Sequence, residues 1–285
     1  MLVESLSLFT SLCYGLSSVL IRKGMSSSNA FTGTLVASAV QVAIMSGLLL
    51  VLRPNSIVWA GIAFFIVSGI LASALGRLCN YKSIERFGVS TSASIVGSSP
   101  MFSILFAVLL LGEEVTVAVL VGTVLVVAGV ILASGFGGTG LGLGRRALVF
   151  PLLAAAFYGA SSSFRKMGLL ALPEPILGTL VGSLATLVFL VAYLTAGPGR
   201  SEVNLHRGCL GYFLGSGVVV SLGWLSMFSA LLVGEVSVVS TLIGTNPLFS
   251  VVFSLLFLRG SERLDQRIVA GCVAVVAGAS IISIF

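Results

Sequence analysis

The sequence predicts an all-α integral membrane protein, with ten transmembrane helices arranged as two inverted five-helix repeats around a central cavity. Three observations carry that prediction: the composition, the number of long apolar stretches and a self-similarity between the two halves of the chain. Hydrophobic residues make up 57% of the 285 and charged residues 8%, with a mean hydropathy of +1.17. An ordinary soluble domain holds roughly 45–50% and 25%, so this chain is composed for lipid.

A helix needs about 20 apolar residues to cross the hydrocarbon core. Such stretches fall near residues 3–23, 31–52, 58–84, 89–111, 115–134, 147–167, 176–195, 208–233, 236–258 and 267–285. They consume most of the chain and leave no room for a soluble catalytic domain. The start, MLVESL, carries an acid where a secretory leader carries basic residues, and no small-residue cleavage site precedes the next charge. The first span is therefore expected to stay.

The two halves repeat each other. Leu8 to Ser18 (LFTSLCYGLSS) matches Leu152 to Ser162 (LLAAAFYGASS) at an offset of 144, and LGRL at 75–78 matches LGWL at 222–225 at an offset of 147. From there the register runs unbroken to Leu111 and Leu258; after a two-residue insertion, Glu113, Gly122 and Gly129 match Glu262, Gly271 and Gly278. The expected organisation is a first repeat at 1–134, a Gly-rich linker at 135–146 and a second repeat at 147–285. Because five is odd, the second repeat enters the membrane from the opposite side, the inverted-repeat plan of secondary transporters.

Within that register GSSPMFS at 97–103 recurs as GTNPLFS at 244–250. Pro100 and Pro247 are expected to kink spans four and nine near their centres, freeing the carbonyls of Val96 and Ile243. The freed groups, with Ser98, Ser99, Thr245 and Asn246, must face protein or water, because lipid cannot satisfy them. Kinks can also serve packing alone, but two symmetry-related prolines flanked by polar pairs point to a cavity.

The stretch from Ser83 to Thr116, SIERFGVSTSASIVGSSPMFSILFAVLLLGEEVT, followed by VGTVLVVAGVIL, resembles the drug/metabolite transporter superfamily, specifically its ten-helix EamA-type members. The second half repeats the pattern as GTNPLFS, GSER and AGCVAVVAG, and the Tyr-Gly pairs Tyr14–Gly15 and Tyr158–Gly159 look like the family's aromatic-glycine pair. The resemblance covers essentially the whole chain. It implies a ten-helix bundle whose cavity is lined by helices 1, 3, 4, 6, 8 and 9 and which moves small metabolites without ATP. This chain departs from the pattern in having tyrosine where tryptophan is common in helix 1, and in the polar Arg77 and Asn80 of helix 3.

Several motifs carry less than they suggest. Gly135 to Gly140 spells G-x-G-x-x-G, but it follows a membrane helix rather than a strand, and no ribose-binding acid stands in a βαβ unit, so the dinucleotide reading fails. No GxSxG, HExxH or P-loop occurs. Gly122 with Gly129, and Gly271 with Gly278, lie two turns apart on one helix face and read as close packing. Cys13, Cys79, Cys209 and Cys272 stand singly, without metal or disulfide spacing. His206 sits in a polar loop beside Arg207.

The substrate-binding candidates are polar and aromatic residues at span depth. Tyr14, Ser17 and Ser18, and their counterparts Tyr158, Ser161 and Ser162, place hydroxyls along one helical face. Serines can also bond their own helix backbone; their duplication favours the pocket. Arg77 is the sharpest candidate, since a charge at bilayer depth costs at least ~2.5–3.5 kcal/mol; the competing reading is that it snorkels to the nearer interface or pairs with Glu85. It precedes Asn80 and Tyr81 by one turn, and its counterpart in the register is Trp224. The full set is Arg77, Asn80, Tyr81, Trp224, Tyr14, Ser17, Tyr158, Ser161, Ser98, Ser99 and Asn246. Arg22, Lys23, Arg165 and Lys166 stand at the ends of spans one and six, where snorkelling to the interface is expected. Glu4 and Glu85 are the only carboxylates inside the spans, and neither is central. Proton-for-cation exchange through an embedded carboxylate is thereby disfavoured.

The net charge of +6 is scattered over helix ends and short loops, which reads as topology signals and contacts to anionic lipid rather than nucleic-acid binding. Twelve of the fifteen basic residues lie on the side opposite the termini. By the positive-inside rule the termini face outside, whereas the family resemblance implies cytoplasmic termini. Protease accessibility of a C-terminal tag in intact cells decides it: the charges predict cleavage, and a protected tag would show that the family arrangement prevails.

The expected activity is secondary transport or facilitated passage of small organic metabolites across the cell (plasma) membrane by alternating access, with amino acids or other carboxylate-bearing compounds favoured. The rival is a non-transporting lipid-handling or receptor-like membrane protein. An enzyme is not expected, since no paired nucleophile and base is visible. The expected partners are a small-molecule substrate and membrane lipids, with no nucleic acid and no cofactor. Oligomeric state is open.

Overall fold

The computed structural model describes residues 1–52, 57–77, 79–80, 82–83, 92, 95–133, 149–195, 203–257 and 266–284. Along them run α1 (Leu2–Gly24), α2 (Ala30–Val51), α3 (Trp59–Gly69), a π-helical stretch (Ile70–Gly76) continuing α3, α4 (Ser99–Leu111) and α5 (Val117–Ala133). The second half holds α6 (Val149–Ala171), α7 (Pro175–Thr195), α8 (Arg207–Val233), α9 (Val236–Ile243), α10 (Asn246–Phe257) and α11 (Gln266–Ile284). No strand occurs among the described residues. The expected ten-span, two-repeat architecture is present, with the ninth span divided into α9 and α10.

The helices start and stop for local reasons. Asn29 caps α2, its side chain accepting the N–H of Thr32 at 2.8 Å. Pro175 opens α7, where its missing N–H costs nothing. Gly112 ends α4 in the left-handed region at φ 67°, a conformation open to glycine. Buried hydroxyls bond back to their own helix, as in Thr10 to Leu6 O and Ser183 to Thr179 O, which satisfies them where no water is present. The exterior is apolar: Leu50, Val51, Trp59 and Val117 are all at least 75% exposed. In water these side chains would drive aggregation; against acyl chains they are at home.

The repeats interlock rather than sit side by side. α1 packs along α8 and α10 of the second repeat, and α6 packs in the same way on α3 and α4 of the first. Fully buried Phe213 of α8 lies against Gly24 and Gly33, and fully buried Phe65 of α3 lies against Gly168 and Gly178. Each phenylalanine thus fills the space two glycines leave on helices of the other repeat. Ser17 Oγ meets Ser216 Oγ at 2.7 Å, while its counterpart Ser161 donates to Ser68 O at 2.9 Å. Gly122 closes on Gly278, and Gly129 on Gly271, so α5 and α11 run antiparallel at backbone contact. Apolar side chains gain little by leaving lipid for protein, so this steric fit and the buried hydrogen bonds hold the bundle.

The same pairings locate an insertion. Ser68 corresponds to Ser216, eight residues before Gly76, whereas Ser216 stands seven before Gly223. Gly76 and Gly223 are themselves equivalent, since the first packs on the ring of Tyr158 and the second on that of Tyr14. The first repeat therefore carries one extra residue between Ser68 and Gly76, which is where the helix widens into its π stretch. Closing bonds at i→i+5 houses an added residue without turning the following side chains away from their partners. Arg77 consequently stays in register with Trp224.

Candidate functional site

The two proline motifs build matching helix breaks rather than kinks in continuous helices. Helical residues 95–96 end in a turn at Gly97–Ser98, and α9 ends in a turn at Gly244–Thr245. The helix beyond begins one residue before the proline in each case, at Ser99 and at Asn246. Each proline therefore occupies a first turn, where it removes no helical hydrogen bond. Ser98 N donates to Ile95 O at 3.0 Å and Thr245 N to Leu242 O at 3.2 Å; the Ser98 and Thr245 hydroxyls donate to the same two carbonyls at 2.6 and 2.7 Å. Ser98 is thus engaged in its own turn, and Thr245 also meets Ser11 Oγ at 2.7 Å.

The breaks touch. A Cβ on Gly244 would stand 2.9 Å from Cγ of buried Pro100, so the turn of one repeat rests on the proline of the other. Ser99 and Asn246, the first residues of α4 and α10, are half-buried beside this crossing.

The interior also holds a cationic site whose charge sequence reasoning missed. Arg165 does not snorkel: it is 8% exposed, and its guanidinium carbon stands 5.2 Å from the Trp224 ring and 6.0 Å from that of Phe228. Its Nη1 donates to Met227 Sδ at 3.5 Å, and Tyr14 donates its hydroxyl to the same sulfur at 3.4 Å. Its Nε is buried without a partner among the described residues. The error came from placing the end of span six at 167, whereas α6 runs to Ala171. Arg165 is then five residues, or about 7 Å at ~1.5 Å per residue, from the helix midpoint, deep within a core ~30 Å thick.

Lys166 does not snorkel freely either. Its Nζ donates to Leu231 O at 2.7 Å and Gly234 O at 2.9 Å, closing the C-terminal end of α8. Across the same joint Glu113 receives Val236 N at 2.7 Å and Ser237 N at 3.1 Å, placing a carboxylate on the first N–H groups of α9. The Gly-Glu pair of the sequence is thus two caps in succession, Gly112 ending α4 and Glu113 starting α9. At the far end of α1, Lys23 lies 5.8 Å from the Tyr212 ring and 5.6 Å from that of Phe257.

The structure brings Tyr14 and Trp224 together around Arg165 and Met227. Tyr158 and Arg77 form the symmetry-related counterpart, with Tyr158 on Gly76 and the half-buried Arg77 one residue beyond; among the described residues Arg77 Nη1 is buried without a partner. Each half of the interior thus holds one tyrosine seated on a glycine and one guanidinium. Ser17 and Ser161 are buried in contacts between the repeats, with their hydroxyls spent there. Asn80 is half-buried, and Tyr81 lies outside the described residues.

The fold and this interior define a multi-pass membrane transporter built on inverted repeats. The model of the EamA-like transporter family matches residues 1–135 and again 145–284, and the chain belongs to that family. An uncharacterized transporter of Archaeoglobus fulgidus is 25% identical over 278 residues, 97% of this chain and 96% of that protein. An uncharacterized protein of Methanocaldococcus jannaschii is 31% identical over 140 residues, 48% of this chain and 96% of its own length, so it is about one repeat long. A solved crystal structure superimposes with a TM-score of 0.80 at 16% identity, covering 98% of this chain and 95% of that one, which is a likeness of fold.

Proposed function

We propose that this protein is a secondary transporter or facilitator of small organic metabolites in the plasma membrane, working by alternating access of its two repeats. The observation that carries the reading is the crossing of the two helix breaks, with Pro100 of one repeat against Gly244 of the other. A pair of half-helices meeting between inverted units gives a place where polar backbone ends and side chains can meet a solute, and where each unit can rock against the other. Amino acids and other carboxylate-bearing compounds are the favoured cargo. The guanidinium groups of Arg77 and Arg165 and the tyrosines Tyr14 and Tyr158 are buried or half-buried in the interior, Ser99 and Asn246 are half-buried at the crossing, and neither guanidinium pairs with a carboxylate among the described residues.

Purified protein reconstituted in liposomes, supplied with radiolabelled amino and carboxylic acids and no nucleotide, is the test. Saturable uptake that is accelerated by unlabelled compound inside the vesicles is expected. Binding in detergent with no movement across the bilayer would favour the receptor-like or lipid-handling alternative.

A further inference from the structure

A positive charge in the middle of a membrane protein is ordinarily paired, because an unpaired one keeps the full cost of leaving water. Arg165 breaks that rule. Among the described residues its one hydrogen bond goes to a thioether, a neutral and weak acceptor, and its buried Nε bonds nothing. The nearest cation along its helix, Lys166, has the same sign and is committed to the end of α8. Of the two carboxylates on that side, Glu113 is committed to the start of α9, and Glu235, the residue just before α9, acts on Lys166. Trp224 and Phe228 cover the guanidinium but supply no negative charge.

What is missing is an anion. A guanidinium is planar and presents paired N–H groups, which suits a carboxylate bidentately. The surroundings decide between oxyanions: a thioether and two large aromatic rings favour a singly charged, weakly hydrated carboxylate over a doubly charged phosphate. Tyr14, whose hydroxyl shares the Met227 sulfur with Arg165, can turn from that sulfur to a second ligand oxygen. We infer that Arg165, with Tyr14, Trp224 and Phe228, forms a binding site for the carboxylate of a small organic anion. The place of this site in a transport path rests on the function proposed above; its ability to bind does not.

The protein contains two tryptophans, of which Trp59 is on the lipid face and Trp224 is in the site. In a Trp59→Phe background the emission of Trp224 alone reports occupancy, and benzoate is the probe. Benzoate should change that emission saturably, while benzamide, which has the same shape without the charge, should not. Arg165→Lys keeps the charge and loses the fork, and should weaken benzoate binding at least about tenfold. Arg165→Met fills the space without charge, a kind of replacement that buried ions commonly tolerate in folding, and should abolish the response. If the methionine variant melts early, the lysine variant carries the test.

Unchanged benzoate binding in either well-folded variant overturns the inference, and so does the absence of a saturable response in folded Trp59→Phe protein. A response to inorganic phosphate without one to benzoate overturns the assignment to carboxylates. Benzoate exchange in liposomes separates this site from the transport reading. Arg165-dependent binding without exchange leaves the site and rejects transport, whereas exchange unchanged by Arg165→Met leaves transport and rejects the site.

Discussion

Leucine at Gly15 or at Gly159 is expected to destabilise the folded protein strongly. A Cβ at Gly15 would lie 2.6 Å from Phe249 Cβ and 2.8 Å from the backbone nitrogen of Ser250; at Gly159 it would lie 2.7 Å from Phe102 Cβ and 2.7 Å from the backbone nitrogen of Ser103. These are symmetry-related contacts between the first helix of one repeat and the half-helix that follows the break in the other. Backbone atoms cannot swing aside as a side-chain tip can, so the helices must part. Overpacking of this kind costs about 3 kcal/mol or more, a fall in melting temperature on the order of 10 °C. Gly47 is the control, since nothing lies within 4 Å of its missing Cβ, and Gly47→Leu should melt with the wild type. Thermal unfolding followed by size-exclusion chromatography reads all three variants. A wild-type melting temperature for Gly15→Leu would mean that the repeats do not interlock as described.

Replacing Pro100 and Pro247 together by alanine is expected to reduce transport steeply while leaving membrane insertion intact. Alanine at these positions supplies an N–H that can reach the carbonyl four residues earlier, at Val96 or Ile243, so each span can run straight. A proline inside a continuous helix costs about 3 kcal/mol, and its removal lifts that bar. The ratio of straight to broken helix then rises by a factor on the order of 100. Each single variant should fall between the wild type and the pair. The ring of Pro100 also supports Gly244, so the Pro100 variant should be the more impaired of the two. Liposome uptake reads the effect, and full transport by the double variant would remove the helix breaks from the mechanism.

Much of the architecture was legible because it was written twice. The offsets of 144 and 147 pair residues that the fold does treat as equivalents: Gly15 with Gly159, Pro100 with Pro247, Tyr14 with Tyr158. The extra residue before Gly76 was not legible. Near Ser68 both halves are apolar helix, in which a one-residue shift leaves the pattern intact; only the contacts of Phe65 and Phe213 reveal it. Ser17 and Ser161 were read as pocket hydroxyls because spacing gives a face of a helix but not what covers that face. Arg165 was missed for a related reason. Hydropathy placed the end of span six at the charged pair itself, so the two cations seemed to lie at the interface. One signal pointed the other way: Arg165 aligns with Ile21 in the first repeat, an apolar position in a helix whose next residue, Arg22, aligns with Lys166. A charge that replaces an apolar residue in the repeat is a better marker of a site than a charge at a helix end.

Alternating access, as proposed, requires the crossing of the two breaks to meet water from each side of the membrane in turn. A cysteine at Ser99, in a protein whose Cys13, Cys79, Cys209 and Cys272 have been replaced, tests it most directly when a membrane-impermeant thiol reagent is added to one face of sealed vesicles at a time. Labelling is expected from either face, with benzoate slowing the reaction from at least one of them. Labelling from one face only, at a rate benzoate leaves unchanged, would contradict it.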